Sequence, residues 1–137
     1  MSTLGPAART LRIRGDYAAI FRHYQDQGWT DGLPIVPPTE GDLREFLQRT
    51  DRAPRAVVAV LPPRQGEATV ERIAINAIMA GCRPEYLPVV LAAVEALADP
   101  AFNLDSIQAT THPVAPLIIV NGPIAREVGI NSGYNAF

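Results

Sequence analysis

The chain has no lysine; all 12 of its basic residues are arginine. That excludes a Schiff-base lysine, a lysine general base and a P-loop lysine from this chain. Cysteine is nearly absent as well. Cys82 stands alone, so no intrachain disulfide can form, and a reducing, cytoplasmic setting is expected. With two histidines, His23 and His112, the chain offers no CxxC, HExxH or paired Cys/His spacing. A complete metal site built from this chain alone is not expected, whereas a metal ion shared with a partner chain stays open. Charge is sparse, at 19% of residues with a net value of −2, and the basic excess of a nucleic-acid surface is missing. No segment approaches the roughly 20 apolar residues of a membrane span. Residues 1–14 hold three arginines but lack the apolar run of a secretory signal.

What is present describes one domain. A length of 137 residues with 47% hydrophobic content can bury a core without staples. Thirteen prolines and ten glycines punctuate the chain. Residues 1–14 read as an N-terminal arm, and 15–137 as a single α/β domain or the N-terminal half of a larger unit. Asp16 caps a helix over 16–27, with Tyr17, Ile20, Phe21 and Tyr24 on one face and Gly28 as its stop. Residues 28–39 (GWTDGLPIVPPT) are too rich in proline and glycine for regular structure and form an ordered loop. Thr39 and Asp42 are spaced as a capping box for a short helix. A helix capped by Thr69 runs to Ala80 and stops at Gly81. The next opens at Pro84, with Pro88 kinking or delaying its start.

Two runs, 56–61 (AVVAVL) and 116–120 (PLIIV), are apolar on both faces. Such runs suit buried parallel strands. With two helices between them they predict a β-α-α-β unit with a right-handed crossover. Two strands cannot close such a sheet. The expectation is therefore a sheet completed by another chain or by a missing segment, since 131–137 read as the middle of an element.

Several polar residues could carry chemistry. Cys82 lies between a helix stopped by Gly81 and one begun by Pro84. A helix N-terminus and the neighbouring Arg83 favour a thiolate, hence a nucleophile or metal ligand. The plain alternative is a small hydrophobe in a turn. His112, on the loop feeding the 116–120 run, is a candidate general base or ligand, or a hydrogen-bonded loop residue. In the 29–34 loop, Trp29 could stack on a substrate and Asp31 could move protons, or Asp31 and Gly32 could simply make a tight turn. Asn76 interrupts an apolar helix face and needs partners if buried. Asn121 and Gly122 could bring amides to a ligand or close a turn.

The segments GWTDGLP (28–34), PPT (37–39), NAIMAGCRPEYLPVVLAAVEAL (76–97) and VNGP (120–123) resemble a large, poorly characterised group of bacterial proteins. Some of its members are linked with UGSC-type (seleno)proteins. The resemblance spans 28–137. It implies further α/β structure beyond the equivalent of Phe137, and it places the group's cysteine on Cys82, beside Arg83, Pro84 and Glu85. No mechanism comes with it.

Together these features predict a subunit of a heteromeric bacterial enzyme with lyase or hydrolase chemistry on a small polar molecule. Its site would be shared with a partner chain. Cys82, His112 and Asp31 would be catalytic, and Trp29, Asn76, Arg83, Asn121 and Gly122 would bind substrate. The competing expectation is a non-catalytic structural subunit, with Cys82 and Asn76 in its core and the apolar runs at an interface.

Overall fold

Local chemistry sets where the helices start. In the computed structural model, which describes residues 8–134, Asp16 accepts a hydrogen bond from the Ala19 amide at 2.9 Å and opens α1 (Tyr17–Asp26). At α2 (Glu40–Leu47), Thr39 and Asp42 form the expected capping box, with both reciprocal bonds at 3.1 Å. Thr69 accepts from the Arg72 amide at 3.3 Å and opens α3 (Val70–Met79). A 3-10 turn over Pro84–Tyr86 precedes α4 (Leu87–Ala98), so proline delays this helix rather than kinking it. Two short helices follow, α5 (Leu104–Ala109) and α6 (Pro123–Glu127).

Three helix ends share one device. After α1, Gly28 takes φ +65° and donates to Gln25 O, while Trp29 N–H donates to Tyr24 O at 2.9 Å. After α3, Gly81 takes φ +79° and donates to Ile78 O, while Cys82 N–H reaches Ala77 O at 2.9 Å. After α6, Gly129 takes φ +71° and donates to Arg126 O, and Ile130 N–H reaches Ala125 O at 2.9 Å. Each is a Schellman motif: a left-handed glycine reverses the chain, and the residue after it packs back on the last turn. Met79 O, the next free carbonyl of α3, accepts from Val36 N–H at 3.1 Å. That bond moors the proline-rich loop to the helix end.

The core gathers Leu43 and Phe46 of α2, Val70, Ile73, Ala74, Ala77 and Ile78 of α3, and Leu87 and Leu91 of α4. Val70, Ala74 and Leu87 are fully buried. These positions recur at three- and four-residue spacing and give each helix one apolar stripe.

The sheet corrects the expectation. Strand β1 (Val57–Leu61) forms within the expected 56–61 run, but its partner is β2 (Gly66–Thr69) and not 116–120. The pair is an antiparallel hairpin, and it is the whole sheet among the described residues. A parallel β-α-α-β unit is not formed. The turn between β1 and β2 is too short for anything but antiparallel pairing. Nor is β1 buried on both faces. Val58, Ala59 and Leu61 pack on the core, whereas Val57 and Val60 are about half exposed. A bulge between Val57 and Ala59 shifts the register.

The second expected strand, 116–120, has no ladder among the described residues. It runs beside α4 instead, where Ile118, Ile119 and Val120 line a cavity of about 430 Å³ with Pro88, Val89 and Ala92. Of the arm expected over 1–14, residues 1–7 lie outside the described residues, as do 135–137 of the tail. No single helix among the described residues is long and apolar enough to cross a membrane, and the apolar pair Pro84–Ala98 and Pro100–Ala109 is bent by 68°.

The helix-end device predicts a contrast between two glycines. Gly81→Ala forces a side chain into the left-handed region and should lower unfolding free energy by about 1–2 kcal/mol. Gly66, with ordinary φ and open space around it, should tolerate alanine within about 0.5 kcal/mol. Urea unfolding of both variants measures the difference.

Candidate functional site

Each polar candidate is engaged locally. Cys82 occupies the position after the left-handed Gly81, and its half-buried side chain packs against the core cluster. That is the usual hydrophobic position of a Schellman motif. Arg83 follows and acts as a clamp. Its Nε donates to the Tyr86 hydroxyl at 3.0 Å, its guanidinium sits 5.0 Å from the Tyr86 ring centre, and Nη2 reaches Val128 O at 3.5 Å. A cation at the C-terminal end of α6 is well placed against the helix dipole.

His112 is exposed. Its amide donates to Thr110 Oγ1 at 3.2 Å and its carbonyl accepts from Val114 N–H at 2.8 Å. Among the described residues no hydrogen bond involves its ring or joins it to Cys82, and no three His, Cys, Asp or Glu side chains gather as a metal site. Asp31 Oδ1 accepts from Leu33 N–H at 3.1 Å, and Thr30 Oγ1 both accepts from Gly32 N–H and donates to Leu33 O. The 30–33 loop is thereby a self-bonded turn. Asn76 is not buried; its Nδ2 donates to Arg72 O one turn back at 2.8 Å. Gly122 takes φ +88° and precedes α6, and Asn121 lines the cavity beside α4.

Six of the eight candidates fall into three neighbourhoods, while Asn76 lies on the exposed side of α3 and His112 on the loop before 116–120. Trp29 and Asp31 sit at the end of α1, Cys82 and Arg83 between α3 and α4, and Asn121 and Gly122 at the start of α6. Trp29 belongs to an aromatic group, with ring centres 5.5 Å from Tyr24 and 5.6 Å from His23. Sequence reading assigned Tyr24 only to a helix face. It is buried, and burial pushes its phenol above the usual value of 10.0. A tyrosine one turn before a Gly-Trp pair was the available signal, because the Schellman reversal folds the tryptophan back onto it.

Two surfaces carry more information than any polar cluster. One is the cavity between α4 and 118–121. The other is the segment 114–120 itself, where Leu117 is 68% exposed, Ile118 55% and Ile119 73%. Comparison with known proteins gives no match to a family model, to a curated protein or to a solved structure.

The shifted tyrosine yields a pH prediction. Tyr24 holds its proton to a higher pH when folded than in the unfolded chain. Its contribution to stability is thus complete below about pH 10 and is lost as pH rises through the folded value. The urea midpoint of the wild type should fall as pH rises above about 10, and Tyr24→Phe should remove part of that fall.

Proposed function

We propose that this chain is a subunit that completes its sheet and core by association, and that it contributes structure to the assembly. The single observation behind this reading is the exposure of 114–120. Leu117, Ile118 and Ile119 all stand in solvent on a backbone without a ladder. Exposing contiguous apolar surface of this kind is costly for a free-standing protein and marks interaction sites. Residues 106–125 carry no Asp, Glu, Lys or Arg, so no charge blocks edge pairing. The second edge of β1, with Val57 and Val60 half exposed, offers another place for a strand to add.

The docking mode that fits is strand addition. A second protein chain lays an extended segment along 117–120, satisfies its amides and carbonyls, and covers the leucine and isoleucines. Pro116 and Pro123 lack amide protons and bound the usable ladder.

Of the two versions set out from the sequence, the structural subunit has the better support. Cys82, Asp31, Asn76 and Arg83 are each used to hold local structure. The catalytic version, with lyase or hydrolase chemistry on a small polar molecule, needs His112 and Cys82 to meet or to be joined by groups from the partner. A shared metal ion would draw on the same two residues. In that version Cys82→Ala in the assembled complex abolishes activity; in the structural version it lowers stability alone.

The association is testable on the chain itself. Leu117→Asp with Ile119→Asp should abolish the association, read as loss of the larger species in sedimentation velocity, with helical circular dichroism unchanged. Amides of 117–120 should exchange with solvent freely in that variant and become protected in the assembly. A wild-type chain that is monomeric at high concentration, with those amides already protected, would overturn the reading.

A further inference from the structure

Beneath residues 8–13 lies a second cavity, of about 530 Å³. It shares no lining residue with the apolar surface beside α4. Ile13 walls it from above, Tyr24 and Trp29 from the end of α1, Leu43 from α2, and Ile75 and Met79 from α3. Residues 8–13 are held across it at two points. The Ala8 amide donates to Glu71 Oε1 at 3.0 Å, and the Thr10 hydroxyl donates to Glu40 Oε1 at 2.9 Å. Both carboxylates belong to first helical turns, Glu40 of α2 and Glu71 of α3. A volume between roughly 300 and 1,000 Å³ with mainly apolar walls is the usual form of a small-molecule site.

We propose that this cavity binds an uncharged, largely apolar small molecule that lies against Trp29 and accepts one hydrogen bond from the Tyr24 hydroxyl. Three observations define the ligand class. The charged lining is one cation and one anion, Arg9 and Glu40, both exposed, so neither sign of ligand is favoured. The walls are aliphatic and aromatic, and they reward apolar area. Tyr24 is buried, yet its hydroxyl has no hydrogen-bond partner among the described residues. No buried side-chain polar atom there is left sealed without a partner, so this hydroxyl opens onto space that solvent reaches. Tyr24 is itself a lining residue of the cavity. At neutral pH the phenol is un-ionised and can donate.

Trp29 is the single tryptophan of the chain and reads the cavity directly. Prodan, an uncharged naphthyl ketone, is the probe. Titrated into the full chain, it should bind one-to-one and quench Trp29 emission. Ile75→Phe, which fills the cavity, should weaken binding tenfold or more, and Met79→Phe repeats the test should Ile75→Phe not fold. Tyr24→Phe removes only the hydroxyl and should weaken binding roughly three- to tenfold, with a blue shift of the ketone's emission. Leu117→Asp with Ile119→Asp should leave affinity unchanged, which separates this site from the association surface. The proposal is overturned by absence of saturable binding to the folded chain. It is equally overturned by binding that survives both filled-cavity variants, or that disappears with the 117/119 pair. Unaltered affinity in Tyr24→Phe removes the hydroxyl from the site.

Discussion

The left-handed glycine at a helix end is the constraint on which most of this structure depends. At Gly28, Gly81 and Gly129 the backbone enters a region that costs other residues about 1–2 kcal/mol. Each reversal turns the chain back across the helix it has just left. The residue that follows is thereby folded back on that helix: Cys82 packs on the α3–α4 core, while Trp29 lies beside Tyr24 and Ile130 beside the last turn of α6, both still exposed. The same reversal at Gly81 leaves Met79 O free to take the Val36 amide, which fixes the proline-rich loop. Arg83 then spans from the 3-10 turn to Val128 O and draws α6 toward α4. Two residues singled out for their chemistry, Trp29 and Cys82, hold positions that this motif reserves for apolar side chains.

A second tension runs between β1 and the 116–120 segment. Both are β-branched and apolar, and both satisfy the pattern of a buried strand. Among the described residues only β1 finds a ladder, because β2 follows it at hairpin distance and loop closure costs little there. The 116–120 segment is separated from β1 by three helices and has no such neighbour. Its apolar side chains lie on the small residues of α4 without filling the space between. Unpaired amides beside exposed isoleucine are a template for another strand, and association is the physical answer to that exposure.

Helix starts and stops were legible in the sequence because they depend on a few adjacent residues. Asp16, Thr39 with Asp42, and Thr69 cap where expected, and Gly28 and Gly81 stop where expected. The proline pair at 84 and 88 marked a kinked or delayed helix start, and the 3-10 turn shows that it is delayed. Less of the candidate site was legible. Asp31 could move protons or make a tight turn, and Asn76 could face a site or pin its helix, since each can also bond to its own neighbours. The hydrogen bonds to Leu33 N–H and Arg72 O settle which partners they have. The cavity under residues 8–13 left no local signature, because its walls come from four separated stretches of chain.

By itself the sequence determined the apolar stripes of α2, α3 and α4, the caps of α1, α2 and α3, the glycine stops of α1 and α3, and the exclusion of lysine chemistry from this chain, all of which follow from residue identity or from neighbours within one turn. Only the tertiary structure decided the pairing of β1, the stranding of 116–120 beside α4, and the burial of Tyr24 next to a half-exposed Trp29. An apolar run states that it should be covered, but what covers it depends on which distant segment can reach it at the lowest cost in chain entropy.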